Sequence, residues 1–291
     1  MNMLRPFTES IDSSAYDFPV ETMGLLAAKD GDPNLHTVPS KMARCIIRTD
    51  TNEVLGVHGS KYKPITHSDV VNSIADAVHT SSVTKDYEIK INVFDNGAKL
   101  RGFVNFPDLT IEPAVGDIVH FRVPFYNSYD GSWSFQQSAE GMRLWCLNGC
   151  TDPLTVARTV AKHTTNVNVS ASASKIHAGL QGFFRNKEVW KSWMTTHVDD
   201  DMAEQFFKHK VVRVKNNTSE FKYNFKQLDN LMGCWLENKA HLGSNKWALY
   251  NALTYWATHT EGQSSTPHVA TRLRESIVAK AISDTVGWER A

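Results

Sequence analysis

The spacing of hydrophobic positions changes three times along the chain. From 41 to 60 it is two: MARCIIRTD (42–50) and EVLGVHG (53–59) read as short strands joined around Thr51-Asn52 in a hairpin. Thr66-His67-Ser68-Asp69 then offers an N-cap, and Val70, Val71, Ile74, Ala77 and Val78 recur at helical spacing, which predicts a helix over about 67–80. From 87 to 148 the period is two again. Ile89, Ile91 and Val93 alternate with Glu88, Lys90 and Asn92, and Val119, Phe121, Val123 and Phe125 alternate with His120, Arg122 and Tyr126. Asn96-Gly97 and Asp130-Gly131 are turn dipeptides that accept positive φ; Trp133 and Phe135 share a face, and Met142 to Leu147 alternates once more. Such a stretch predicts an antiparallel sheet with one buried face. Its polar face draws on Lys99, Arg101, His120, Arg122 and Arg143, a set whose matching depends on strand register.

Beyond 150 the spacing is helical. Thr151-Asp152-Pro153 reads as a cap with proline in the first turn, continued by Leu154, Ala157, Val160 and Ala161. A longer helix is predicted over about 168–197, and Asp199-Asp200-Asp201 caps the next, to about 210. KYNFKQLDNLMGCWLENKA, KWALYNALTYWATHT and TPHVATRLRESIVAKAISD are three further amphipathic stretches. Residues 1–40, with Pro19, Pro39 and the turn cluster Asp30-Gly31-Asp32-Pro33, read as an irregular arm. The predicted class is α+β: antiparallel hairpins and a meander packed against helices, then a mostly helical C-terminal half. The predicted organisation is an arm (1–40), an α+β core (41–165) and a helical region packed on it (166–291).

With 291 residues, 41% of them apolar and 10% aromatic, the chain has a globular composition, which excludes wholesale disorder. No apolar run approaches the roughly 20 residues of a membrane helix. The N-terminus lacks the apolar segment of a secretory signal, and four cysteines in a chain of this length fit reduced thiols, so a cytoplasmic protein is expected. Net charge is zero, but residues 1–150 hold 13 Lys+Arg against 18 Asp+Glu, and 151–291 hold 18 against 13. The excess concentrates at 158–226, where 12 bases meet 6 acids. A polyanion responds to that local charge rather than to the total.

Catalytic signatures are weak. Cys146-x3-Cys150 with His163 and Cys234 lacks the usual zinc-knuckle spacing, and Cys146 sits in an apolar strand pattern. Asp108 with Glu112 lacks a following lysine, and Asp199 to Asp201 suit a helix N-terminus. No phosphate loop or nucleophile elbow is present, and no cofactor or metal is expected. The mixture of bases and rings is more informative. From Arg158 to Lys226 the bases are interleaved with Phe183, Phe184, Trp190, Trp193, Phe206, Phe207, Phe221, Tyr223 and Phe225, most of them expected in the core. The hairpin 121–135 adds Arg122, Tyr126, Tyr129 and Trp133. A cationic track with ring faces is how single-stranded nucleic acid is held.

Several short motifs also recur in one family. Tyr62-Lys63-Pro64, NSYDGSWSF (127–135), Arg143/Cys146/Asn148 in MRLWCLNGC, Lys162-His163-Thr164 and Trp247/Asn251/Ala252/Thr254/His259 follow one another over 62–259. In this the chain resembles the phage/plasmid-like proteins of the DUF932 family, with Trp145 and Leu147 departing from its pattern. The resemblance implies a bacteriophage or mobile-element origin and no defined activity. More loosely, the order of helix, antiparallel meander and helix is similar to single-strand annealing proteins, which form rings holding single strands in a basic groove.

The leading expectation is therefore a non-enzymatic, homo-oligomeric, ring-forming protein that binds and anneals single-stranded DNA, with RNA as an alternative partner, and does not associate with membrane. Lys99, Arg101, Arg122, Arg143, Arg158 and Lys162 would meet phosphates, and Tyr126, Tyr129 and Trp133 would stack. One alternative is a protein-interaction, virion or anti-defence component, which predicts an exposed apolar patch. The other is a nucleic-acid enzyme in which Arg143, Cys146, Asn148, His163, Asn251 and His259 converge.

Overall fold

The computed structural model describes residues 13–28, 30–31, 37–137, 140–143, 148–151, 159–161, 169–214, 222–260 and 267–283. The class is α+β, with antiparallel sheets and a mostly helical C-terminal half. The chain divides into two compact units: Met1–Asp108, Arg122–Ala139 and Ala157–Leu180 form the first, and Leu109–Phe121, Glu140–Val156 and Gln181–Ala291 the second. Among the described residues no helix is long and apolar enough to cross a membrane.

In the first unit, β1 (Val20–Ala28), β2 (Thr37–Arg48) and β3 (Glu53–Gly59) form a three-stranded antiparallel sheet in that order. This corrects the reading of 20–28 and 37–40 as irregular. Most of β1 is exposed, so it shows no period-two signal. Pro39 pairs with Leu26 beside a shift in register, the kind of place where a strand tolerates proline. The β2–β3 turn lies where expected, with Asn52 at φ 59°. Phe18, Ile46, Leu55, Ala98 and Tyr129 pack into a small core beneath this sheet.

The helix α1 (His67–Ser81) starts where the polar cluster predicts: Thr66 Oγ1 accepts a 2.9 Å hydrogen bond from the Asp69 amide. Its buried positions, His67, Val70, Val71, Ile74, Ala77 and Val78, form one stripe.

The larger sheet contains β4 (Glu88–Phe94), β5 (Lys99–Ala114), β6 (Asp117–Ser128), β7 (Phe135–Gln137), β8 (Glu140–Arg143), β9 (Asn148–Thr151) and β10 (Thr159–Ala161). Its order is β10-β7-β6-β5-β4, with β8 pairing β6 and β9. The helix expected to continue through Val160 and Ala161 is absent there: 159–161 pairs antiparallel with β7, Val160 opposite Gln136. Thr159 and Val160 are β-branched and suit a strand. The proposed start of that helix, 152–158, lies outside the described residues.

The helix α2 (Val169–Thr195) follows. Two helices lie against one face of the first unit's part of the large sheet. His67 at the start of α1 bonds the Gly97 carbonyl at 2.9 Å, while His79 near its end bonds Tyr87, whose ring meets buried Phe106. Gln137, which pairs with Phe125, donates to the Ser172 carbonyl in the first turn of α2. The opposite face, defined by β4–β5 pairing, carries Lys90 across from Phe103 and Asn92 across from Arg101.

The second unit is built around α5 (Lys246–His259), which is buried on nearly every side. α3 (Asp200–Lys210) and α4 (Phe225–Leu242) are tied by Asp200, which accepts from Trp235 Nε1 and Lys239 Nζ, both at 2.7 Å. Trp190, Trp193, Trp247 and Tyr250 stack as a cluster, and Trp247 Nε1 donates to Asp117 at 2.6 Å. A short ribbon, β11 (Arg213–Val214) with β12 (Lys222–Tyr223), precedes α4. α6 (Pro267–Ser283) supplies Arg274, whose guanidinium bonds the Ala257 and Thr260 carbonyls at the end of α5.

Candidate nucleic-acid interface

β5 and β6 place alternate residues on opposite faces. Leu100, Gly102, Val104 and Phe106 point to the core, and Lys99, Arg101, Phe103 and Asn105 point away from it. Gly102 permits a close approach: an added Cβ would stand 2.5 Å and 2.7 Å from two ring carbons of Phe125. That approach puts Tyr126, the next residue of β6, on the side of Arg101.

The outcome is a compact cationic and aromatic group. The Arg101 guanidinium lies 4.8 Å from the centre of the Phe103 ring and 5.7 Å from that of Tyr126; the Arg122 guanidinium lies 4.5 Å from Phe103. Two cations share one ring, each attracted by its negative face. Arg101 and Phe103 are half-buried, with Arg101 Nε inside, whereas Arg122 at 7% and Tyr126 at 9% are buried. Lys90, across from Phe103, is exposed and contacts Glu88 at 3.2 Å. The sequence reading named Arg101, Arg122 and Tyr126 but missed Phe103. Its period-two position between Arg101 and Asn105 was the available signal.

Three other expected contacts have internal tasks instead. Lys99 is 7% exposed, with Nζ 2.6 Å from Asp95 and 3.0 Å from Asp130. Burial disfavours its charge, but the bonds to the two carboxylates outweigh this and raise its pKa. Burial likewise pushes Asp130 upward, and the bonds from Ser132, Lys99 and Ser128 outweigh it, leaving the carboxyl below its usual range. Tyr129 is fully buried; its hydroxyl accepts from the His67 amide at 2.9 Å, and burial raises its pKa. Trp133, 4% exposed, lies edge-on to Tyr126, and its amide donates to Ser128 Oγ at 2.9 Å. Arg143 lies in β8 with its side chain outside the described residues, as are Arg158 and Lys162 altogether.

These internal tasks explain much of the NSYDGSW motif. Asn127 Nδ2 donates to the Ile65 carbonyl and to His67 Nδ1, each at 2.9 Å. His67 Nε2 faces the Gly97 carbonyl, which can only accept, so the partners assign the neutral Nε2–H tautomer. Tyr62 donates to the Ser128 carbonyl, stacks on His58 at 3.8 Å, and His58 Nε2 lies 2.6 Å from the Tyr129 carbonyl. The motifs 62–64 and 127–133 thus form one clasp between the start of α1 and the end of β6.

Of the proposed catalytic group, Asn251 is fully buried and donates to the Trp247 carbonyl, while His259 stacks on Tyr255 at the end of α5. Eight residues of helix separate them by about 12 Å. Cys146 and His163 lie outside the described residues. Burial pushes the Cys234 thiol up to about 11, far from a reactive thiolate. Among the described residues no cluster of His, Cys, Asp and Glu could hold a metal ion. Of the expected aromatic track, Phe183, Trp190, Trp193, Phe206 and Phe207 are core, whereas Phe184 and Phe225 are exposed.

Residues 54–281 match the sequence profile of a family described as a domain of unknown function, DUF932. No curated protein and no solved structure matches the chain.

Proposed function

The chain thus belongs to the DUF932 family, and we propose that it binds single-stranded nucleic acid and holds it for annealing during recombination or replication of a bacteriophage or other mobile element in the host cytoplasm. The observation that supports this reading is the Arg101–Phe103–Arg122 group with Tyr126, on the sheet face opposite α1 and α2. The accessible part of half-buried Arg101 would meet a phosphate and the accessible edge of half-buried Phe103 a base, with exposed Lys90 and Asn92 beside them. Arg122 and Tyr126 would hold those two side chains in position. Annealing needs a surface that grips the backbone and leaves bases available; it requires no nucleophile or metal.

The test is fluorescence anisotropy of a labelled oligonucleotide across a salt series. Each phosphate contact on a single strand contributes about 0.7 to the slope of log K against log salt. Arg101→Ala should lower the slope by about that amount. Phe103→Leu should weaken binding by roughly 1–3 kcal/mol at every salt concentration and leave the slope unchanged. Undetectable binding by the wild-type protein at low salt, or insensitivity to both changes, overturns the proposal. A second reading, a protein-interaction component without nucleic-acid binding, is favoured by the aliphatic side chains exposed on the β1–β3 sheet. It is the reading that remains if the oligonucleotide does not bind.

A further inference from the structure

Large hydrophobic side chains are exposed at 11 described positions, and six of these lie on one three-stranded sheet: Met23, Leu26, Val38, Met42, Val54 and Val57, at 38 to 84% exposure. Met23, Cys45 and Val57 form a row across the three strands, and Glu21, Ile47 and Val54 form the next. Beyond Gly24 on β1 and Ala43 on β2, the ribbon is exposed at almost every position. A two-stranded ribbon without a covered face is marginal in water. Leu26 lies across from Pro39 and Val38 across from Ala27, so the exposed aliphatic side chains are divided between the two faces of the ribbon, with Met23, Val54 and Val57 on one of them.

The edge of the same sheet indicates the occupant. β1 is terminal in the order β1-β2-β3, and among the described residues its outer side pairs with no strand. Such edges are ordinarily guarded by proline, lysine, an inward charge or a bulge, and the irregularity of β1 is the shift in register against β2 between Gly24 and Leu26. β1, VETMGLLAA, has no proline and a single charge, Glu21. Gly24 is its central residue. A two-fold axis through Gly24 would set Met23 against Leu25 of a second copy, Thr22 against Leu26, Glu21 against Ala27 and Val20 against Ala28. Met23 then meets Leu25 and Val20 meets Ala28, Thr22 and Glu21 face the aliphatic Leu26 and Ala27, and the one carboxylate is far from its mate.

We propose that the outer edge of β1 is a self-association surface, on which β1 of a second copy pairs antiparallel about Gly24 to make a six-stranded sheet. The inference is independent of nucleic-acid binding and is tested without any oligonucleotide.

Gly24→Cys is the probe. An added Cβ at Gly24 meets nothing within 4 Å, and the glycine has no positive φ, so the change fits the fold. On the axis the two Cα atoms would lie about 4.5–5.5 Å apart, within disulfide range. Mild oxidation should therefore convert Gly24→Cys to a covalent dimer on a non-reducing gel. Wild type and Ala28→Cys, whose mates stand far apart, should remain uncrosslinked. Separately, Met23→Glu and Met23→Lys each place like charges diagonally across the axis. Each should raise the dimer dissociation constant at least tenfold by light scattering, and mixing the two should restore dimers. Circular dichroism confirms folding, and if either charged variant unfolds, the cysteine experiment decides. A wild-type protein that stays monomeric at high concentration, equal crosslinking of both cysteine variants, or an oligomer indifferent to both charges overturns the proposal.

Discussion

Replacing Gly102 by alanine should destabilise the first unit sharply, through one side chain. The new methyl would stand 2.5 Å from Cε2 and 2.7 Å from Cε1 of Phe125, with Cζ nearer still, where ordinary contact begins at 3.4 Å. Phe125 has 0% exposure, so its ring has no solvent to enter. Relief requires a displacement of about 1 Å by the ring or by a strand, and overpacking of that kind costs about 3 kcal/mol, the upper end of its usual range. Phe125→Leu alone loses apolar burial at about 0.8 kcal/mol per methylene equivalent, roughly 2 kcal/mol in all. In the double variant the methyl enters the space the ring vacated. The pair should then cost about 2 kcal/mol rather than the additive 5, a coupling of about 3 kcal/mol. Urea unfolding followed by circular dichroism reads all four proteins. Strict additivity would refute the close approach as the reason for a glycine at 102. Because Arg101 and Phe103 flank this residue, oligonucleotide affinity should fall in Gly102→Ala and recover in the double variant.

Other expectations follow from buried polar contacts. Trp247→Phe removes the 2.6 Å bond to Asp117, which is 6% exposed; about 2–3 kcal/mol of stability should be lost in urea, and less when Asp117→Asn is added. His67→Leu leaves the Gly97 carbonyl and one Asn127 hydrogen without their partner, so a loss of about 2–4 kcal/mol is expected in the same assay. The Asp130–Lys99 pair sets a pH window. Asp130, with its folded pKa depressed, contributes fully above its unfolded value near 4 and loses that contribution as pH falls through the folded value; Lys99, with its folded pKa raised, contributes fully below about 10.5 and loses it as pH rises further. Lys99→Met should therefore move the acid unfolding midpoint to higher pH in a fluorescence titration, and an unchanged midpoint would show that Lys99 does not hold Asp130.

Local order was largely legible in the sequence, because its causes are local. Thr66 and Asp199 cap helices whose amides lie within three residues of them, and Asn52, Gly97 and Gly131 occupy the positive φ that their turns require. Where a segment has no buried face, as along β1, there was no period to read. Tertiary structure decided which polar residues are available to a ligand. Lys99 looked like a surface base until Asp130, 31 residues on, came to lie beside it, and Tyr129 looked like an exposed turn residue until α1 delivered the His67 amide to its hydroxyl. Phe103 entered the candidate site only because cross-strand packing brought Arg101 and Arg122 to the same ring. Side-chain direction within a strand follows from a period of two, but neighbours across strands depend on register, which the hairpin lengths and the Gly102–Phe125 contact establish only in the folded sheet.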